Sequence, residues 1–194
     1  MKAIALVVAS GLVGCALTSN APPVALLFFS PEPPASASET HRPAEAGLAL
    51  RLGRLESGAH LRNRILVRRT PVEVAAYEDR RWTEYPEAYV RRAVAHALFE
   101  ERALVPVVAG AAPTLDLELV AFEEVRRGDG SSARIELRYA LCGERQVLAS
   151  GVVVAERRAA AEPFEAIVVA MGAALAAAAA ELAEVVVARL AATE

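Results

Sequence analysis

The side chains that could do acid–base, nucleophilic or metal chemistry are few and scattered. The histidines are His41, His60 and His96, and no two lie at the short helical or loop spacings that bring imidazoles onto one metal ion. They fall on a linker, a loop and the polar face of a helix, where solvation is the ordinary fate. The carboxylate neighbours Glu100–Glu101 and Glu123–Glu124 do not make a general acid/base pair, because adjacent residues of a helix or strand point in different directions. Both pairs read as solvated faces. The sequence has no Gly-x-Ser-x-Gly elbow, no glycine loop that would cradle phosphate and no Cys-x-x-Cys, so the reactions those motifs carry have no support. The chain reads as a non-enzyme with no cofactor and no metal site.

One thiol does have a chemical context. Lys2 is followed by an uncharged apolar run from Ala3 to Val13, and the run ends in Leu12-Val13-Gly14-Cys15. Charge, apolar run and small-small-Cys ending, in that order, make a secretory signal that closes on a lipobox-like sequence, in which the cysteine thiol accepts a diacylglyceryl group and cleavage follows Gly14. The run is too short to span a bilayer, which takes roughly 20 apolar residues. Acyl chains contribute about 0.8 kcal/mol per buried methylene, so a triacylated Cys15 would anchor the chain to a membrane without crossing it. Ala16, rather than aspartate, follows the cysteine, which favours the outer membrane. The expected organisation is a signal over 1–14, a lipidated tether over 15–23, and one periplasmic domain over 24–194, with a Pro/Ala/Ser-rich loop at about 31–47.

About 180 residues then remain, the length of one domain that can bury its own core. Cys142 is the only other cysteine, so no internal disulfide can form once Cys15 is acylated, and Cys142 reads as a half-buried strand residue. Lys2 is the only lysine, and the formal net charge is −3. An anionic chain without a concentrated basic stripe does not suit a phosphate backbone, which excludes nucleic acid as a partner class.

Hydrophobic spacing sets the elements. Val24–Phe29 is a short apolar strand, and Leu48, Leu50 and Leu52 alternate with polar or small neighbours, the period of a strand with one buried face. Ile65–Arg69 is a second such strand, interrupted at Thr70-Pro71 before Val72, Val74 and Ala76 resume the alternation. Pro86 suits the first turn of a helix, whose stripe is Val90, Ala93, Val94, Ala97 and Leu98. Leu115, Leu117 and Leu119, the Gly128–Ser131 loop, and Ile135, Leu137, Tyr139 and Leu141 make a β-hairpin. Gln146–Glu156 adds a strand whose continuous Val152-Val153-Val154 suggests a central position. From Pro163 a long alanine-rich helix packs on the sheet. A membrane span is the alternative for it, but only about 15 uncharged residues separate Glu165 from Glu181, short of the needed length. The fold class expected is α+β, a two-layer mixed or antiparallel sheet with two helices packed on one face.

The stretch from Leu61 to Glu100 is the most informative. It carries Leu61-Arg62-Asn63-Arg64-Ile65-Leu66-Val67-Arg68-Arg69, then Val72-Glu73-Val74, then Tyr77-Glu78-Asp79-Arg80-Arg81-Trp82, and Pro86. A strand ending in arginine, a second strand, Tyr-x-x-x-x-Trp and a helix-opening proline in this order resemble the ABC-type transport auxiliary lipoproteins. The likeness continues more weakly through Leu115–Val125 and the last helix, although Leu26-Leu27-Phe28-Phe29 stands where the family has a tyrosine-rich opening strand. The resemblance implies an auxiliary lipoprotein of an MCE-type lipid transport system, working with a periplasmic MCE-domain protein and ABC transporter components, with phospholipid as a ligand and homo-oligomerisation left open. From the residues themselves, Tyr77, Arg80, Arg81, Trp82 and Pro86 form either a structural strand-to-helix corner or a recognition surface. Arg62, Arg64, Arg68 and Arg69 are either solvated edges or a docking patch for an acidic partner or lipid headgroups. The rival function is a structural or regulatory envelope lipoprotein that tethers an assembly factor or activates a cell-wall synthase.

Overall fold

The computed structural model describes residues 24–32, 47–128, 130–160 and 163–193; Cys15 and most of the 31–47 loop lie outside them. The strands are β1 (Leu27–Phe29), β2 (Ala49–Ser57), β3 (Arg64–Arg68), β4 (Val74–Trp82), β5 (Val105–Pro106), β6 (Thr114–Arg127), β7 (Gly130–Cys142) and β8 (Val147–Arg158). The helices are α1 (Pro86–Ala95), which continues into a π-helical turn over His96–Glu101, and α2 (Phe164–Ala191). The fold is α+β, with an eight-stranded mixed sheet and two helices.

The longest strand organises the sheet. One edge of β6 pairs antiparallel with β7 over its whole length. Its other edge is shared, parallel to β2 from Thr114 to Leu119 and parallel to β3 from Glu123 to Val125. β4 and β1 extend the sheet beyond β3, and β5 extends it beyond β2. A register shift between Leu119 and Ala121 inserts one residue, and a one-residue insertion reverses which side chains face inward. Before the shift Leu115, Leu117 and Leu119 enter the core; after it Phe122 does. A second one-residue irregularity falls in β2 between Leu52 and Leu55. There a Cβ on Gly53 would stand 2.3 Å from Asp116 Oδ1, so glycine is required for that carboxylate to accept the Arg54 N–H at 2.8 Å.

The hairpin, the helix boundaries and the half-buried Cys142 at the end of β7 agree with the spacing. The position of β8 does not: among the described residues it pairs with β7 alone. Val153 is buried while Val152 and Val154 are about half exposed, so the three valines alternate on an edge strand instead of filling a central one. A β-branched run has the same composition in either place. β5 was not anticipated, being two residues that hold Leu104 and the loop after it against β2.

In α2 the small residues Ala170, Gly172, Ala174, Ala178, Ala179 and Ala183 are buried beside Met171, Leu175, Leu182 and Val186, which allows close approach to β7, β8 and α1. By length and composition the helix could cross a membrane, yet its apolar stretch is mostly buried against the domain. The fully buried Ala178 and the exposed Val169 separate the two placements. We expect Val169→Arg to leave stability within about 0.5 kcal/mol, and Ala178→Arg to prevent folding, because it overfills the core and buries an unpaired charge. Chemical denaturation measures both. In a membrane span both positions would lie within the apolar stretch, where arginine is costly whichever face it is on, at roughly 2.5–3.5 kcal/mol at the centre, so comparable damage from both variants would contradict the core placement.

Candidate functional site

The Tyr77–Pro86 segment divides between two jobs. Trp82, the last residue of β4, is 1% exposed and makes edge-to-face contacts with Phe122 at 5.4 Å and Tyr89 at 6.5 Å between ring centroids. Its backbone N–H donates to Asn63 O at 2.7 Å. Pro86 is buried at the first position of α1, and no side chain caps the helix start. The Tyr89 hydroxyl serves there instead, accepting the Glu84 N–H at 3.1 Å and sharing a hydrogen bond with Thr83 Oγ1 at 2.6 Å. Trp82 and Pro86 are thus the corner that turns β4 into α1. Arg81 is also turned toward the chain, donating to the carbonyls of Tyr77 and Arg80.

Tyr77 and Arg80 face a different place, a polar cleft of about 760 Å³ bounded by β4, β6, the β6–β7 turn and the start of α2. Glu124, on β6, is its buried centre, 2% exposed. The carboxylate accepts the Tyr77 hydroxyl at 2.5 Å, Arg126 Nε at 2.9 Å and Ser131 Oγ at 2.6 Å. Burial pushes its pKa up, but the hydrogen bonds from Ser131, Tyr77 and Arg126, with the Arg126 charge, outweigh that and hold it below the usual carboxylate range. The Tyr77 hydroxyl moves the other way, to about 12, through burial and through its bond to the Glu124 charge. The Arg80 guanidinium lies over the Phe164 ring at 4.0 Å and the Tyr77 ring at 4.6 Å, stacking suited to a planar, weakly hydrated cation.

Glu123 is equally buried but points to the other side of the sheet, as strand neighbours must. Arg68 grips it with Nε at 2.6 Å and Nη2 at 3.1 Å, and Arg134 Nη1 approaches at 3.4 Å. The reading of Glu123 and Glu124 as solvated therefore fails. The bulge in β6 places Glu124 on the helix-bearing face, while Arg68 and Arg134 cover Glu123 on the open one. Of the four arginines in the β3 region, Arg68 is committed to this pair and Arg69 stands 3.5 Å from Glu73. Arg62 and Arg64 are exposed, with Arg62 over the Tyr85 ring at 5.9 Å. The structure thus brings Tyr77 and Arg80 together with Glu124, Arg126, Ser131 and Phe164, which the sequence reading did not single out. Two adjacent carboxylates flanked by Leu119–Phe122 and Val125 mark a strand in the sequence but not the partners that bury them.

A family model described as the ABC-type transport auxiliary lipoprotein component matches residues 29–183. A solved structure of a DUF330-family protein from Xanthomonas campestris is 19% identical, with a TM-score of 0.71 over 84% of this chain and 96% of that one. A hypothetical protein from Chlamydia trachomatis is 10% identical, with a TM-score of 0.55 over 76% of this chain and 99% of that one. At these identities the solved structures speak to the fold alone. No match is found among the curated proteins.

The Tyr77–Glu124 pair makes stability depend on pH at both ends. Because the folded Glu124 pKa is depressed, its contribution is fully present above the reference value of 4.5 and is lost as pH falls through the folded value. The Tyr77 pKa is raised, so its contribution is present below 10.0 and is lost as pH rises toward about 12. We expect Glu124→Gln to be less stable than the parent at neutral pH, with the gap narrowing on acidification below 4.5. Tyr77→Phe should lack the alkaline loss. Urea midpoints measured against pH check both, and parallel profiles for parent and variants would refute the linkage.

Proposed function

The chain belongs to the family of ABC-type transport auxiliary lipoprotein components, and on that premise we propose that it is a non-catalytic auxiliary of an ABC/MCE-type lipid transport system. The observation that carries the reading is the family match across residues 29–183, which includes the whole Tyr77–Pro86 corner. In this reading the acylated Cys15 anchors the domain to the periplasmic face of the outer membrane, and the system moves phospholipid between inner and outer membranes. The domain holds a periplasmic MCE-domain protein by surface contact. Arg62, Arg64 and Tyr85 are exposed together beside the β4–α1 corner and offer the aromatic and arginine anchors that dominate protein interfaces. Trp82 is unsuited to that role because it is enclosed in the core.

The test is recovery of partners with the tagged, full-length chain from lipid-preserving membrane extracts. MCE and ABC components should co-purify, and Arg62→Glu with Arg64→Glu should reduce their recovery while changing stability by only about 0.5 kcal/mol per exposed site. Cys15→Ala should abolish incorporation of a fatty-acid analogue and leave the precursor uncleaved. Enrichment of a cell-wall synthase, with no MCE or ABC component, would replace this reading with a tethering or regulatory one.

A further inference from the structure

The cleft around Arg80 and Arg126 has the makings of a ligand site that the docking role does not use. We propose that it binds a phosphate ester, with the guanidinium groups of Arg80 and Arg126 as its anion-gripping donors. Glu124 is the carboxylate lining the cleft among the described residues, and it is already satisfied by Tyr77, Arg126 and Ser131. Against it stand the guanidinium groups of Arg80 and Arg126, two positive charges facing one carboxylate in a chain that is anionic as a whole.

Orientation is the second element. Arg80 lies against two aromatic rings that touch each other edge to face, 27% exposed, and its Nε is buried without a hydrogen-bond partner among the described residues. Asp79 Oδ1 stands 3.8 Å from it, beyond hydrogen-bond reach. A buried guanidinium N–H without an acceptor is costly, and an oxyanion would satisfy it. Arg126 is fixed differently. Its Nε is spent on Glu124 and its Nη2 on the Tyr77 hydroxyl, which leaves the rest of the guanidinium fork, on a half-exposed side chain, for a ligand. Two guanidinium groups lining one cleft, each fixed by protein contacts, suit a tetrahedral oxyanion, which accepts paired N–H donors.

Size and polarity narrow the class. At about 760 Å³ the cleft falls in the range of about 300–1,000 Å³ typical of small-molecule sites, far larger than one inorganic ion requires. Arginines line part of the cleft, and Phe164 and Ile167 give another part an apolar surface. A phosphate carrying an organic group fits that pairing of surfaces. α2 also begins here, but Glu165 in its first turn offsets the positive helix end, so the arginines carry the recognition.

The chemistry is shared by a soluble phosphate ester and a phospholipid headgroup. Only the headgroup source leans on the transport reading proposed above. The experiment uses the full-length chain in detergent micelles without phosphate, titrated with inorganic phosphate and with glycerol 3-phosphate by calorimetry, then with vesicles of phosphatidylglycerol in a competition format. Both soluble probes should bind, glycerol 3-phosphate more tightly. Arg80→Gln and Arg126→Gln should each weaken binding about tenfold or more, the scale of one lost charge-assisted hydrogen bond. Arg138→Gln, which loses only a surface pair with Glu118 on the open face, should bind as the parent does. Arg80→Lys keeps the charge without the fork and guards against misfolding: folded by circular dichroism yet weak in binding, it supports the site. Displacement of glycerol 3-phosphate by the vesicles assigns a headgroup, and failure to displace it assigns a soluble ester. Absence of binding by the parent chain, or equal binding by parent and both cleft variants, overturns the proposal. Because partner recovery is measured separately, loss of the transport reading would leave the site standing, and the reverse also holds.

Discussion

The β6 strand sets the constraint on which the rest depends. Its fourteen residues serve β7 along one edge and divide the other between β2 and β3. Both halves of the sheet therefore take their register from a single chain segment. The bulge after Leu119 lets that segment present leucines to the helices in its first half and Phe122 and Glu124 in its second. If the same residues ran on in regular alternation without the bulge, Glu123 would face the aromatic cluster and Phe122 would lie on the open side. A one-residue shift along this strand would thus exchange the core anchor for a charge, a penalty that specifies the register strongly.

The paired carboxylates follow from the same geometry. A buried ionised carboxylate is tolerated only when charges and donors surround it. Arg68 and Arg134 supply them on the open face; Arg126, Tyr77 and Ser131 do so on the other. Such pairs add little net stability over a well-packed apolar alternative, but breaking one side of them is costly. Their contribution here is positional. Arg68 ties β3 to β6, and the Tyr77–Glu124 bond ties β4 to β6 across β3, which fixes the cleft beside the start of α2. The corner at Trp82 is independent of these charges and rests on aromatic packing with Phe122 and Tyr89.

Legibility in the sequence tracked how local the determining physics is. The helices could be read because Pro86 and Pro163 open them and the apolar stripe recurs at helical spacing, and the β6–β7 hairpin because leucine alternation flanks a glycine turn. The edge position of β8 was not legible, since Val152–Val154 have the same composition in an edge strand as in a central one. The environment of Glu123 and Glu124 depends on Arg68 and Tyr77, 55 and 47 residues away, and no local pattern announces a partner at that distance. The sequence treats Tyr77–Pro86 as one unit, either a corner or a recognition surface, whereas the structure divides its side chains between the core corner and the cleft. Four residues separate the cleft-facing tyrosine from the core tryptophan, and the irregular register between β3 and β4 at Arg64–Leu66 obscures the alternation that would have sorted them.

The central claim is that Tyr77 and Glu124 belong to one cooperative unit that fastens β4 to β6 and shapes the cleft. A double-mutant cycle in unfolding free energy, with Tyr77→Phe, Glu124→Ala and the combined variant, measures this most directly. Because the hydroxyl and the carboxylate are each other's buried partners, the account predicts that the double variant loses less than the sum of the two single losses, with a coupling of about 0.5–3 kcal/mol. Additive losses, with no coupling beyond experimental error, would contradict it.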